Sequence, residues 1–312
     1  MLKYMLMRLL GLIPILAAVL LLTFLANHLT PGDPIVMMLD DRSGDAELEA
    51  LLRAQYGLDL PLWQQFTRYV GGIFVGDFGL SYRYIGVPVL EVIGEALTIS
   101  PLLAGLAFLL AVPMGIVVGI FTARRHGSWS DTSVMLVLLA GISVPNFAMA
   151  SFMVYLFSIK LNWFPVAGWG SWEQIVLPVT ILAMHPTAYL ARLTRTFMLE
   201  VLQQDYIRTA RAKGLEERTV IYRHALRNVL VPLATTVGII FGVMITSTFV
   251  IEVIFNIPGL GRLAIDSIFA RDYPVTIAIV LVFTLIYSLI NLVIDLLYGV
   301  IDPRIRVHEQ VR

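Results

Sequence analysis

QQDYIRTARAKGLEERTVIYRHALRNVLVP, residues 203–232, is a charged, water-loving stretch set between two strongly apolar ones. A chain that only crosses a bilayer has no need of such an insert, whereas one gripped by another protein outside the bilayer does. Asp205 is placed to cap a helix running through Lys213, and Gly214 suits the left-handed residue that stops it. A second helix is predicted to begin near Glu216 and Glu217, with its acids at the positive end of the helix dipole. Its last turns hold Arg223, His224 and Arg227 at the negative end. Val229 to Pro232 then leads into the next apolar segment. The expected unit is helix, glycine turn, helix, held outside the bilayer. Thr209, Ala210, Ala212 and Gly214 leave a shallow face of small residues, suited to a helix end pressed into another protein's groove. An ordinary solvated loop needs neither the paired helical punctuation nor the alanine–glycine face.

The rest of the chain reads as membrane. Of its 312 residues 58% are hydrophobic and 14% charged, and the mean hydropathy is +0.82. Soluble domains sit near half apolar and a quarter charged. Formal net charge is zero, so nothing points to nucleic acid. The absence of cysteine excludes disulfides, thiolate metal sites and thiol nucleophiles. The three lysines, Lys3, Lys160 and Lys213, follow no G-x-x-x-x-G pattern, so no phosphate loop of an ATPase is present.

A helix needs about 20 apolar residues to cross the hydrocarbon core. Six windows qualify: Leu9–Leu29, Thr98–Ala123, Ser133–Phe157, Ile175–Phe197, Val231–Phe255 and Val275–Val300. Unpaired backbone groups are too costly in lipid for these to be anything but helices. The fourth is the weakest; Arg192 and Arg195 interrupt it, and it is expected to continue as a helix beyond the bilayer. The first is too long for a signal peptide, and Asn27-His28-Leu29-Thr30-Pro31-Gly32 offers no small-residue cleavage site. Lys and Arg gather in the N-terminal tail, at Arg124–Arg125, in 203–232 and in the C-terminal tail, while 31–96 is acidic. The positive-inside rule therefore makes both termini cytoplasmic and 31–96 extracytoplasmic.

That outer segment is too long for a plain loop. Asp45 is expected to cap a helix carrying Leu48, Leu51, Leu52 and Tyr56 on one face and ended by Gly57. Pro61 is expected to start another with Phe66, Tyr69, Val70, Ile73 and Phe74 inward. Two readings fit it: a cap packed on the outer ends of the bundle, or a contact for a substrate-delivering partner.

Polar groups within spans are costly, about 2.5–3.5 kcal/mol for a central charge, and they are few. Asn146, after Pro145, sits mid-span at an expected kink and either lines a pathway or bonds a neighbouring helix. His185-Pro186 is expected to break the fourth helix; His185 is a pathway candidate, although a lone histidine is more often a packed, bonded one. Glu252 and Asp295 lie near span ends, where snorkelling or a salt bridge is the common explanation. Arg192 and Arg195 are expected at the inner interface. Gly115 and Gly119 make a small-x-x-x-small step, read either as a subunit contact or as packing within this chain. No residue group forms a metal site or a catalytic dyad.

The 203–232 segment resembles the EAA loop of ABC-importer permeases. Arg208-Thr209-Ala210 stands where the general pattern has Glu-Ala-Ala, and Gly214 falls where its glycine falls. Pro232 lies farther from the glycine than in the general form, as in the dipeptide/oligopeptide branch. Further matches to that branch are Arg8-Leu9-Leu10, Pro31-Gly32-Asp33-Pro34, Gly76-Asp77-Phe78-Gly79-Leu80-Ser81, Asn256-Ile257-Pro258-Gly259-Leu260-Gly261, Arg271-Asp272-Tyr273-Pro274 and Asp302-Pro303-Arg304-Ile305-Arg306, so the resemblance spans essentially the whole chain. It implies an all-α membrane protein with the type I ABC importer permease fold and six transmembrane helices. Residues 1–30 would be the tail and first helix, 31–96 the extracytoplasmic segment, 97–300 the transmembrane type-1 domain with coupling loop 203–232, and 301–312 a cytoplasmic tail. It also implies residence in a bacterial or archaeal cytoplasmic membrane and alternating access. The expected partners are a second, homologous permease subunit, two ATPase subunits that bind the ATP and magnesium, and an extracytoplasmic solute-binding protein; no cofactor and no catalysis are expected in this chain. Asp205, Thr209, Ala210, Ala212, Lys213 and Gly214 would make the mechanical contact.

Short peptides are the expected cargo, with glutathione, nickel complexes and glycosides as alternatives within the same branch. An ion-driven secondary transporter is a more remote reading, because central carboxylates and inverted repeats are missing. Histidines scattered at 28, 126, 185, 224 and 308 do not make a membrane hydrolase.

Overall fold

The computed structural model describes residues 2–39 and 46–301, with side chains between residues 6 and 294. Asp45, the side chain of Asp295 and the tail from Asp302 lie outside the described residues. The regular structure among the described residues is helical, with one isolated antiparallel bridge between Leu80 and Pro88.

Helix α1 (Leu2–Leu29) is followed by four short helices, α2 (Pro34–Leu39), α3 (Ala46–Tyr56), α4 (Leu62–Phe74) and α5 (Val89–Gly94). Then come α6 (Ala96–Arg124), α7 (Trp129–Ser143) and α8 (Asn146–Met153), the last prolonged by a π-helical turn to Lys160. Helix α9 (Trp172–Leu202), α10 (Asp205–Ala212), α11 (Glu217–Thr219), a π-helical turn (Val220–Ala225), α12 (Leu226–Ile254), α13 (Leu260–Phe269) and α14 (Tyr273–Ile301) complete the order. Among the described residues five helical stretches are long and apolar enough to cross a membrane, and a sixth if α7 and α8 count as one broken span. Trp129, Trp163 and Trp172 stand exposed at the ends of these stretches, where interfacial tryptophans collect.

Two expected helices depart from expectation at prolines, in opposite directions. The third window is no kinked helix: α7 and α8 meet at 106°. Val144 and Pro145 are extended, with ψ of 123° and 145°, because the ring of Pro145 disfavours helical geometry in the residue before it and brings no N–H. His185-Pro186, by contrast, does not break α9, which runs unbroken through Pro178 and Pro186 to Leu202. Leu177, Ile181, Leu182, Leu190 and Ala191 are buried along it, and α7 and α12 pack against it. Burial on that scale offsets the roughly 3 kcal/mol a proline costs within a helix. The fifth span is also longer than expected: Glu217–Ile254 is one helical stretch, with Pro232 inside it.

The chain divides into two compact units. The first comprises Met1–Ser100 and Pro258–Leu289. In it Val89, Ile93 and Ala96 pack with Leu260, Val275, Ala278 and Ile279, and α4 lays Phe66, Tyr69, Val70 and Ile73 on Leu20, Phe24 and Ile277. Leu52 is buried with Ile35 and Leu39, with Leu48 and Tyr56 beside them. Phe74, expected inward, is 86% exposed, and Leu51, on the apolar face expected of α3, is 59% exposed. Buried Asp272 accepts hydrogen bonds from the Ser81 hydroxyl and from the backbone N–H groups of Tyr82 (3.1 Å) and Arg83 (3.2 Å), pinning the 80s turn to the start of α14. Nearby, Tyr56, Tyr69, Tyr82, Tyr273 and His28 line a cavity of about 320 Å³. Burial pushes the Tyr69 and Tyr82 phenols well above the usual range.

The second unit, Pro101–Ile257 with Ile290–Arg312, contains the insert. Helices α6 and α9 approach each other closely there. A Cβ added to Gly115 would lie 2.6 Å from Leu190 Cβ, and one on Gly119 would meet Thr194 Cβ and lie 2.6 Å from the Ala191 carbonyl. The small-residue step therefore serves packing within this chain. Glu252 is fully buried near the end of α12, not snorkelling.

Candidate functional site

The segment 203–217 is a short helix standing off the end of a long one. Helix α9 ends at Leu202, and α10 starts three residues later. Asp205 is the first residue of α10, not its cap; Gln204 occupies the cap position without a side-chain bond. An acid in the first turn still meets the positive end of the helix dipole. At the other end Gly214 has φ +74°, the left-handed value expected of it. Its N–H bonds the Arg211 carbonyl (2.9 Å) and the Leu215 N–H bonds the Ala210 carbonyl (3.4 Å). This pair of bonds is the Schellman ending that glycine makes cheap. Arg211 then bridges the turn to Glu217, Nε to Oε2 at 3.1 Å and Nη2 to Oε1 at 2.8 Å.

Helix α10 packs against the π-helical turn 220–225, burying Ile207 and Ala210. Ala210 therefore lies on the inner side and is no part of an outward face. Asp205, Thr209, Ala212, Lys213 and Gly214 are exposed. The outward face is thus small and charged residues side by side, and nothing in this chain covers it among the described residues.

The base of this structure is held by a group that the sequence reading missed. Asp131, in the first turn of α7, is 3% exposed. Arg195 of α9 grips it with two bonds of 2.8 Å, Nε to Oδ1 and Nη2 to Oδ2, and the Gly127 N–H adds a third at 3.2 Å. A further Arg195 Nη2 contact reaches His126 Nδ1 at 2.9 Å. Ser128 caps α7 and accepts the Asp131 N–H. Arg195 is therefore a clamp from α9 to the start of α7 and the loop before it, two turns before α9 ends. The Ser-x-x-Asp spacing at 128–131 is a helix-start signal that marks Asp131, although its partner, 64 residues away, is invisible locally.

Asn146 and His185 flank the α7–α8 break. His185 Nε2–H donates to the Ile142 carbonyl at 3.0 Å, a group whose next-turn partner lies beyond the break. His185 Nδ1 and Asn146 Oδ1 are buried without a partner among the described residues.

With this geometry in view, similarity to known proteins is informative. Residues 115–307 match the family described as binding-protein-dependent transport system inner membrane component, and residues 1–93 match its N-terminal companion. Proteins described as glutathione transport system permease protein GsiC are 42% identical in Escherichia coli K12 and 44% identical in Salmonella paratyphi A, over 98% of this chain and 99% of theirs. Among solved structures, an amino acid ABC transporter with histidines superposes with TM-score 0.54 at 16% identity, covering 67% of this chain and 93% of that one. The inward-facing MetNI methionine ABC transporter gives 0.54 at 15%, covering 69% and 96%; at these identities the likeness shows the fold. The chain belongs to the binding-protein-dependent transport system inner membrane component family, as a multi-pass cytoplasmic-membrane permease subunit of an ABC importer.

Proposed function

We propose that this permease imports glutathione by alternating access, and that 203–217 is its mechanical link to ATPase partners. The observation supporting the link is the exposed face of Asp205, Thr209, Ala212, Lys213 and Gly214 on a helix whose other side is buried. In the orientation argued from Lys and Arg placement, that face points into the cytoplasm. A motor closing on ATP displaces α10, and α10 is joined through Leu202 to α9, which the Arg195–Asp131 clamp ties to α7. Motion at the tip therefore reaches the bundle. A partner shifts the inward–outward equilibrium only through a difference in its affinity for the two states. The ATP and magnesium belong to the partner subunits in this reading, and this chain carries out no chemistry. A second homologous permease and a solute-binding protein complete the assembly.

Short peptides are the cargo expected from the sequence, with glutathione among the alternatives. The names of whole-length relatives at 42–44% identity favour the alternative. Glutathione is itself a tripeptide with a γ-linked glutamate, so the two readings differ in one linkage and in what the solute-binding partner selects. The test is uptake of labelled glutathione and of labelled di- and tripeptides by cells with and without the gene. Loss of glutathione uptake, restored by wild type, is expected. Loss of peptide uptake with glutathione unaffected would return the assignment to peptides, and loss of neither would remove both.

A further inference from the structure

Helix α4 has an apolar edge that its own fold leaves uncovered. Its inner residues, Phe66, Tyr69, Val70 and Ile73, rest on α1 and α14. Trp63 and Phe74 nevertheless remain 65% and 86% exposed, and Val75 just beyond the helix 81%. Trp63 and Phe74 are eleven residues apart, which at about 100° per residue is three turns and roughly 20°. Both therefore lie along one edge of α4, while Gln64 and Arg68 occupy the other side.

The depth of this edge follows from what α4 leans on. Helix α1 has 28 residues and α14 has 29, about 42–44 Å at 1.5 Å per residue. A hydrocarbon core of about 30 Å leaves each helix roughly 6 Å beyond the core at either end when centred. Phe24 and Ile277 lie about 6–8 Å from the helix ends on this side, hence at the core boundary. Leu20 and Leu281, in the same cluster, lie about 12–14 Å from those ends, hence some 6–8 Å within the core. The inner face of α4 thus occupies the 5–10 Å band in which in-plane amphipathic helices sit. Its neighbour α1 turns Leu21, Leu22, Leu25 and Leu29 outward, the surface that a spanning helix gives to lipid. A water-soluble partner approaching from beyond the membrane does not reach this depth from the side.

We infer that α4 is an interfacial helix whose Trp63–Phe74 edge is seated in the headgroup–acyl boundary of the lipid leaflet, anchoring the 31–96 segment to the membrane. A tryptophan at one end and a phenylalanine three turns on are residues that the apolar faces of in-plane helices carry at this boundary.

The absence of cysteine from this chain makes the test direct. Trp63→Cys, Phe74→Cys and, on the polar side, Arg68→Cys are each spin-labelled. The assembled transporter, with cysteine-free partner subunits, is reconstituted in phosphatidylethanolamine–phosphatidylglycerol vesicles. Collision rates are measured with oxygen, which concentrates in lipid, and with a water-soluble nickel chelate. Oxygen is expected to exceed the chelate several-fold at 63 and 74, with the ratio reversed at 68. Chelate dominance at 63 and 74 would place the edge in water and overturn the inference. Low collision with both reagents would mean that a partner protein covers it and would overturn it equally, as would the same ratio on both sides of α4.

Discussion

Two arginine–carboxylate pairs of nearly identical geometry mark the base and the tip of the coupling structure. Arg195–Asp131 at the base and Arg211–Glu217 at the tip both make two-pronged contacts with an Nη2–O distance of 2.8 Å. Their surroundings differ: the Asp131 side chain is 4% exposed, whereas Arg211 and Glu217 are 42% and 51% exposed. Removing one member of a buried pair strands a charge, while an exposed pair exchanges protein for water at little cost. The base is therefore where stability is held, and the tip is where a substitution reads out function.

The sharpest break to that contrast is Gly119→Val. Its side chain meets Thr194 Cβ and the Ala191 carbonyl, atoms that cannot swing aside. A loss of about 3 kcal/mol or more is expected, at the top of the range for overpacking, seen as a marked drop in melting temperature and in folded yield in detergent. Wild-type melting would mean that α6 and α9 are not in this contact.

Next comes the direct comparison of the pairs. Asp131→Ala is expected to destabilise by about 2–3 kcal/mol, once the range for a fully buried pair is reduced for the fifth of the Arg195 side chain that meets solvent. Glu217→Ala should cost only about 0.2–1 kcal/mol. Melting of the two variants side by side decides it, and equal losses would erase the distinction between base and tip.

Gly214→Val follows. No atom lies within 4 Å of an added Cβ there, so the penalty is conformational, roughly 1–2 kcal/mol for a side chain held at positive φ. The protein should still insert, while ATP hydrolysis by the assembled transporter proceeds without matching uptake.

The tip was the legible part. A glycine after a short polar helix, followed by two glutamates, encodes its ending locally, and Gly214 adopts the conformation expected of it. Where a local signal met tertiary packing, the reading failed. Pro186 spells a break, yet α9 is buried enough to run through it; Pro145 spells a kink, and the chain turns by 106°. Ala210 belongs to the same small-residue set as Ala212, but which of them faces inward depends on the turn at 220–225. Asp131 has its partner 64 residues away, and no spacing rule connects the two. Phe74 reads as inward, yet it is exposed, because apolar periodicity does not tell protein from lipid.

The most direct test of the coupling surface is Ala212→Trp in the reconstituted transporter. Ala212 is exposed on α10, so a bulky side chain there is tolerated by the fold and obstructs only what docks on it. Wild-type melting with uptake reduced roughly tenfold or more, the effect of about 1.4 kcal/mol of lost docking, is the result this account requires. Wild-type uptake with the tryptophan in place would show that no partner presses on this face.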